Sequence, residues 1–161
     1  MKKHFILWIF LLIGVLSFSQ GVKKIKATEL EKTIAESKTP LIINFWATFC
    51  LPCIEEIPYF QTLVKKYEKD SVKLLLVSLD LKDDYPKVGP FVKKRKFISP
   101  VVWLDETNAD YFCPKVDTTW SGSIPASLFI NNKTGYRKFY EEKIPEEKLE
   151  KEIMAILGKI N

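Results

Sequence analysis

Residues 46–58 read WATFCLPCIEEIP and bring together two cysteines, two acids and two prolines in thirteen residues. This stretch follows an apolar run, Leu41 to Phe45, of the kind that buried central strands show. A helix is predicted from about Leu51 to about Lys69, which places Cys50 at or just before the helix N-terminus. Unpaired backbone N–H groups and the helix dipole favour a thiolate at that position, which lowers the pKa of a cysteine and makes its sulfur nucleophilic.

The pair formed by Cys50 and Cys53 has three conceivable uses: a structural staple, a metal site and thiol–disulfide exchange. A staple across so short a loop restricts the unfolded chain little. Zinc needs four ligands, and the chain has three cysteines and one histidine, His4. Cys53 stands one helical turn after Cys50, where it can resolve a mixed disulfide. The pattern therefore favours redox exchange with no metal and no cofactor other than the pair itself.

The first 19 residues have the three parts of a secretory signal. Two lysines form a positive start, Phe5 to Leu16 is apolar, and Ser17 and Ser19 form a small-x-small cleavage site. The apolar run is shorter than the ~20 residues usual for a membrane span. We expect cleavage and a single mature domain over residues 20–161; an uncleaved N-terminal anchor is the alternative.

The charge of the chain is mild once that segment is set aside. The whole sequence has 25 Lys and Arg against 20 Asp and Glu, and two of those lysines lie in the first 19 residues. The one basic cluster, Lys93 to Lys96, is typical of a solvated helix face. We therefore expect no nucleic-acid partner.

The remaining pattern predicts an α/β domain with a mixed central sheet and helices on both faces. Pro58 is expected to kink its helix, Gly89-Pro90 to break or offset the start of another, and Cys113-Pro114 to close a short one. The predicted helices are 28–37, 51–69, 85–97, 106–112 and 145–157, and the predicted strands are 41–45, 72–79, 100–104, 127–131 and 136–140.

Three short motifs resemble those of the thioredoxin superfamily. Residues 45–53, FWATFCLPC, are similar to the thioredoxin active site, and residues 53–58, CIEEIP, narrow the resemblance to the exported TlpA/ResA-like thioredoxins. Residues 123–126, SIPA, before a predicted strand are similar to the cis-proline loop. The resemblance covers about residue 25 to the C-terminus and implies the thioredoxin fold.

The resemblance also implies roles for individual residues. Cys50 would be the attacking thiol and Cys53 the resolving one, joined in a redox disulfide. A partner's extended segment would pair with the backbone of Ile124 by strand addition. Pro125 would be cis and face the disulfide. The substrate-binding residues would be Trp46, Phe49, Ile124 and Pro125.

Glu56 has two readings. The resemblance implies that its carboxylate helps to move protons during exchange. Alternatively, Glu55 and Glu56 simply favour the positive end of the helix.

Four further residues bear on the resemblance. Phe49 replaces the usual tryptophan, and Asn44 stands where cytoplasmic thioredoxins have a buried acid. Cys113 is interpreted as a small buried hydrophobe, with a third redox centre or an intermolecular bridge as the alternative. Trp120 is interpreted as core rather than a partner contact.

The sequence thus predicts an exported, periplasmic thiol–disulfide oxidoreductase that acts as a monomer and reduces disulfides of envelope proteins. Its partners would be exported proteins with disulfides or thiols, apocytochrome c among them, and a membrane electron donor. It would be membrane-tethered if the N-terminal segment stays uncleaved. A disulfide oxidant or isomerase, and a binding module without turnover, are the alternatives; a peroxidase fits the cysteine spacing less well.

Overall fold

The structure is a computed structural model that describes residues 21–160. The predicted leader, residues 1–19, lies outside the described residues. The strands are β1 (Lys23–Ile25), β2 (Leu41–Trp46), β3 (Lys73–Ser78), β4 (Val101–Leu104), β5 (Ala126–Asn131) and β6 (Tyr136–Tyr140). The α-helices are α1 (Ala27–Glu36), α2 (Leu51–Lys66), α3 (Tyr85–Arg95), α4 (Ala109–Val116) and α5 (Glu146–Ile156).

The strands form one mixed sheet in the order β1-β4-β3-β2-β5-β6. The pairs β1–β4, β4–β3 and β3–β2 are parallel, whereas β5 is antiparallel to both β2 and β6. Because β2 lies inside the sheet, all six of its residues are buried. Its last residue, Trp46, lies opposite Ser78 at the end of β3, so the carboxyl ends of these strands lie at the same edge as the cysteine motif.

Helices cover both faces of the sheet, as the sequence predicted. Side chains of α2, α3 and α5 pack on the face that carries Ile42 and Trp46 of β2. Side chains of α1 and α4 pack on the opposite face, which carries Ile43 and Phe45. The alternation of β2 residues between the two cores is the period-2 pattern of a strand covered on both sides.

The observed elements differ locally from the predicted ones. Strand β1 was not predicted because it has only three residues, of which Lys23 and Lys24 are exposed. Helix α2 includes Pro58 and is followed by a 3-10 turn at Glu68–Asp70, so the predicted single helix ends earlier than expected.

Two helices continue through a proline that was expected to interrupt them. Helix α3 runs through Pro90, which is exposed and gives up one backbone hydrogen bond without breaking the helix. Helix α4 begins at Ala109 and continues past Pro114 to Val116.

Candidate active site

Cys50 and Cys53 form a disulfide between the end of β2 and the start of α2, with their Cα atoms 5.3 Å apart. The two residues differ in access to solvent. Cys50 is 8% exposed and Cys53 is fully buried. A partner can therefore reach the sulfur of Cys50 more readily than that of Cys53.

The sulfur of Cys50 lies at the N-terminus of α2. Cys50 is the N-cap residue, and its Sγ accepts a hydrogen bond from the Cys53 N–H at 3.4 Å. The turn before it is closed by the Cys50 N–H, which donates to the Ala47 carbonyl at 3.1 Å. This arrangement points backbone donors and the positive end of the helix dipole at the sulfur, as thiolate stabilisation requires.

Glu56 lies one helical turn after Cys53 and is fully buried. Its Oε1 accepts from Asn44 Nδ2 at 2.7 Å, and its Oε2 accepts from the Ile144 N–H at 3.0 Å. Burial raises the pKa of Glu56 to about 7, although both hydrogen bonds act in the opposite direction. A carboxyl with that pKa gains and loses a proton near neutral pH.

The pairing of β2 with β5 positions Asn44, which donates to the Glu56 carboxyl. The two strands place Asn44 opposite Ser127, and the Asn44 amide also donates to the Ser127 hydroxyl at 3.0 Å. Asn44 Oδ1 is buried without a hydrogen-bond partner among the described residues. If the amide turns over, this oxygen can accept a hydrogen bond from a protonated Glu56.

Glu55 differs from Glu56 in its burial and in its partners. Its carboxylate is exposed and pairs with Lys143 Nζ at 2.6 Å. The structure therefore separates the two acids of the motif: Glu55 is a surface charge, and Glu56 lies on the buried face of α2.

The predicted substrate-binding residues other than Trp46 form one side of the site. Phe49 is 66% exposed beside Cys50, Ile124 is half-buried, and Pro125 is buried. The Ile124–Pro125 peptide bond is cis, as predicted. Phe49 and Ile124 line a cleft of about 350 Å³ at this edge of the sheet, whose other lining residues include Asp80, Leu81, Trp103 and Ser123.

Trp46 does not belong to that surface. It is fully buried and packs against Phe91 and Phe97, with ring centroids 5.8 and 5.3 Å away. Trp46 ends a central strand on the face that α2 and α3 cover, so its ring faces the core and not a partner. The burial of Trp46 does not fit the predicted contact with substrate.

The odd cysteine and Trp120 lie in the core on the opposite face of the sheet. Cys113 is buried, and burial raises the pKa of its thiol to about 11, which keeps it protonated. Trp120 is buried against Phe45, with ring centroids 4.4 Å apart, and against Phe112. Both residues match their interpretation as core.

Sequence reasoning missed two acids that hold the loops around the disulfide. Asp80, just after β3, accepts hydrogen bonds from Thr48, in the turn that leads to Cys50. Glu141, just after β6, accepts from the backbone N–H groups of Ser121 and Ser123, in the turn that leads to the cis-proline. Asp80 had one readable signal: an acid at the carboxyl end of a predicted parallel strand lies at the edge where sites form.

Residues 21–160 also form cavities away from the disulfide. A larger cavity, about 960 Å³, lies at the opposite edge of the sheet around Leu41, Lys73 and Pro100, away from the disulfide. In the described part of the chain no three Cys, His, Asp or Glu side chains are grouped so that they could hold a metal ion. The helices described there are all too short or too polar to cross a membrane.

Comparison with known proteins agrees with this geometry. The model of the AhpC/TSA family matches residues 16–134. The chain belongs to this family. A solved thiol:disulfide interchange protein of the thioredoxin family from Chlorobium tepidum TLS superposes with a TM-score of 0.62 at 19% identity, over 80% of this chain and 85% of that one. The predicted thioredoxin fold is thereby confirmed.

Two curated relatives of the chain are named for redox chemistry. Sporulation thiol-disulfide oxidoreductase A of Bacillus subtilis is 33% identical over 96 residues, which cover 57% of this chain and 53% of the relative. Thiol-disulfide oxidoreductase ResA of Bacillus cereus is 32% identical over 121 residues, covering 74% of this chain and 62% of the relative. The chain thus spans between half and two thirds of the length of these relatives, and the predicted resemblance to ResA-like proteins is confirmed.

Proposed function

We propose that this protein is an exported thiol–disulfide oxidoreductase that reduces disulfides of envelope proteins through Cys50 and Cys53. The observation that carries the proposal is the asymmetry of the pair. Cys50 keeps 8% of its surface exposed, with its sulfur at the N-terminus of α2, whereas Cys53 is fully buried one turn further along the helix. The attacking thiol must be accessible to substrate, and the resolving thiol must lie next to it and be less accessible.

The exchange proceeds in two balanced steps. The Cys50 thiolate attacks one sulfur of the substrate disulfide, whose S–S bond breaks, and the released substrate thiolate takes up a proton. The Cys53 thiolate then attacks the Cys50 sulfur of the mixed disulfide, the bond between Cys50 and the substrate breaks, and the second substrate thiolate leaves and takes up a proton. The substrate gains two electrons, the Cys50–Cys53 disulfide forms, and a membrane electron donor must reduce it again.

Glu56 serves the second step in this proposal. Cys53 has to lose its proton in a buried environment, and the buried carboxyl one turn along α2 has a pKa of about 7. A group with such a pKa can accept a proton and return it near neutral pH. Pairing with Asn44 and the Ile144 N–H fixes where the carboxyl lies.

Phe49, Ile124 and Pro125 receive the substrate. Phe49 offers exposed apolar surface beside Cys50, and the half-buried Ile124 lies across the same cleft. An extended substrate segment would pair with the Ile124 backbone and bring its cysteine to Cys50. Export by the N-terminal segment places this exchange in the periplasm, where oxidised envelope proteins and apocytochrome c cysteines are the substrate classes.

The equilibrium with glutathione tests the proposal and its direction. We expect the pair to exchange with glutathione and to have a reduction potential nearer the ~−270 mV of thioredoxin than the ~−120 mV of strong periplasmic oxidants. A potential near the oxidising value would contradict the reductase and favour the oxidant or isomerase. A pair that does not exchange at all would support the binding module without turnover.

A further inference from the structure

The loop after β3 continues the pairing of β2 and β3 beyond the strands themselves. Trp46 lies opposite Ser78, and the Leu79 N–H donates to the Trp46 carbonyl at 2.8 Å as the last backbone contact. Two residues beyond Trp46 and two beyond Ser78, Thr48 contacts Asp80, so the separation of 32 positions along the chain is kept. There the Asp80 side chain takes the place of a backbone acceptor.

Asp80 holds Thr48 through both its backbone and its side chain. The Thr48 N–H lies 3.0 and 3.1 Å from the two carboxylate oxygens, and the Thr48 hydroxyl donates to Oδ1 at 2.5 Å. The Ser78 hydroxyl donates to Oδ2 at 2.7 Å. Asp80 is only 3% exposed, so these donors take the place of the water molecules that burial removes from the carboxylate.

The backbone of Asp80 is anchored as well. Its carbonyl accepts from the indole Nε1 of Trp103 at 2.7 Å, and its N–H donates to the Ser78 hydroxyl at 3.2 Å. Trp103 is buried in β4. The carboxylate that holds Thr48 is therefore fixed to the central strands on its other side.

We propose that Asp80 is a positioning residue for Cys50: its carboxylate holds the turn from Ala47 to Cys50 and so keeps the Cys50 sulfur at the N-terminus of α2. Thr48 lies in the middle of that turn, which the Cys50 N–H closes on the Ala47 carbonyl at 3.1 Å. Phe49, the residue between Thr48 and Cys50, is largely exposed and provides little anchoring from its other side. Asp80 thus supplies the main side-chain restraint on the turn among the described residues. The inference rests on the proposed role of Cys50 as the attacking thiol.

The test is the pH dependence of Cys50 alkylation in the reduced full chain, followed by peptide mass spectrometry. Asp80→Ala should move the midpoint upward by about one pH unit and slow alkylation about tenfold at a pH well below the wild-type midpoint, since the thiolate fraction there changes tenfold per pKa unit. Asp80→Asn should stay within about twofold of wild type, because its Oδ1 can accept from the Thr48 N–H while its amide donates to a neighbouring hydroxyl oxygen.

Three further variants keep the test decisive. Asp83→Ala, at an exposed acid in the same loop, should leave the profile unchanged. Thr48→Val removes the hydroxyl but keeps the N–H, and should slow alkylation about threefold. This variant tests the same contact if Asp80→Ala does not fold. The combination of Asp80→Asn with Thr48→Val should be no slower than Thr48→Val alone by more than about twofold. The other charged residues of the cleft, Lys82 and Glu106, stay unchanged throughout.

The outcomes separate position from charge. A wild-type profile in Asp80→Ala, or in Thr48→Val, would overturn the proposal. A loss in Asp80→Asn as large as that in Asp80→Ala would show that keeping the hydrogen bonds to Thr48 does not preserve the reactivity of Cys50, and would overturn it equally. Faster alkylation in both variants would show that Asp80 acts on the thiolate through its negative charge, because removing a like charge favours the thiolate, and would overturn it as well. Alkylation of Cys50 needs no disulfide partner, so it can be measured independently of exchange. If the alkylation profiles are as expected but the pair does not exchange with glutathione, the proposed function is contradicted and the role of Asp80 stands.

Discussion

At the scale of single residues, Glu56 shows how burial turns an ordinary carboxyl into a group that titrates near neutrality. Desolvation raises its pKa from 4.5 to about 7, and the hydrogen bonds from Ile144 and Asn44 offset only part of that effect. The folded protein therefore holds this proton more tightly than the unfolded chain. By linkage, Glu56 favours folding most at low pH, and that contribution is lost as the pH rises from about 4.5 through 7.

This predicts a pH-dependent difference between wild type and Glu56→Gln. The oxidised wild-type protein should lose roughly 2–3 kcal/mol of unfolding free energy relative to the variant between pH 5 and pH 8. Glutamine is neutral at every pH, and its amide can donate to the unpartnered Asn44 Oδ1 if that side chain turns over. Urea unfolding at both pH values measures the difference.

Glu55→Gln is the matched control for that experiment. Glu55 is the preceding residue on α2, but it is exposed and pairs with Lys143 on the surface. Its variant should keep the pH profile of the wild type. Parallel profiles for wild type and Glu56→Gln would contradict the raised pKa of the buried carboxyl.

At the scale of elements, two connections meet at the disulfide, and a carboxylate from another element holds each of them. Asp80 holds the turn between β2 and α2, as described above. Glu141, at the end of β6, holds the turn before β5: it accepts from the Ser123 N–H at 2.8 Å, from the Ser121 N–H at 3.1 Å and from the Ser121 hydroxyl. These contacts fix the loop that carries Ile124 and the cis-proline.

Glu141→Ala should therefore weaken substrate binding and leave the reactivity of Cys50 intact. We expect KM for a protein disulfide to rise about fivefold, as the loss of charge-assisted hydrogen bonds would produce, with the alkylation rate of Cys50 unchanged. Desolvation alone would raise the pKa of Glu141, but the hydrogen bonds from Ser121 and Ser123 lower it overall. The contacts should thus persist at neutral pH and be lost only as the pH falls through that lowered value.

Steady-state kinetics on the same substrate with Glu142→Ala supply the control, because Glu142 is exposed and pairs with Lys148 instead. An unchanged KM in Glu141→Ala, or a fall in Cys50 alkylation equal to the change in KM, would show that Glu141 does not act through the loop of Ile124 and Pro125.

At the scale of the whole molecule, the sequence predicted those features that lie in contiguous stretches. The cysteine motif and the buried runs of β2 and β3 each occupy a few adjacent residues, so they can be recognised without knowledge of the fold. The cis-proline was implied by the resemblance of residues 123–126 to the loop of the thioredoxin superfamily. Glu56 was identified from its place in the motif. Its partner Ile144 was not, because that contact spans 88 positions and exists only once α5 packs on α2.

Contacts that depend on strand pairing, or on packing between distant segments, were not predicted from the sequence. The contact between Thr48 and Asp80 depends on the register of β2 against β3, and that between Ser121 and Glu141 depends on β5 and β6 pairing. Trp46 was assigned to the substrate surface because the motif places it near the cysteines. The covering by Phe91 and Phe97, from a later part of the chain, is visible only in the assembled fold.

The central claim, that Cys50 attacks and Cys53 resolves, is tested most directly by trapping. Reduced Cys53→Ser and Cys50→Ser proteins are mixed with an excess of a disulfide-containing protein, and the cross-linked peptides are identified by mass spectrometry. The account predicts a stable mixed disulfide on Cys50 in Cys53→Ser and little or none on Cys53 in Cys50→Ser. A mixed disulfide that forms on Cys53 as readily as on Cys50, or none in either variant, would contradict it.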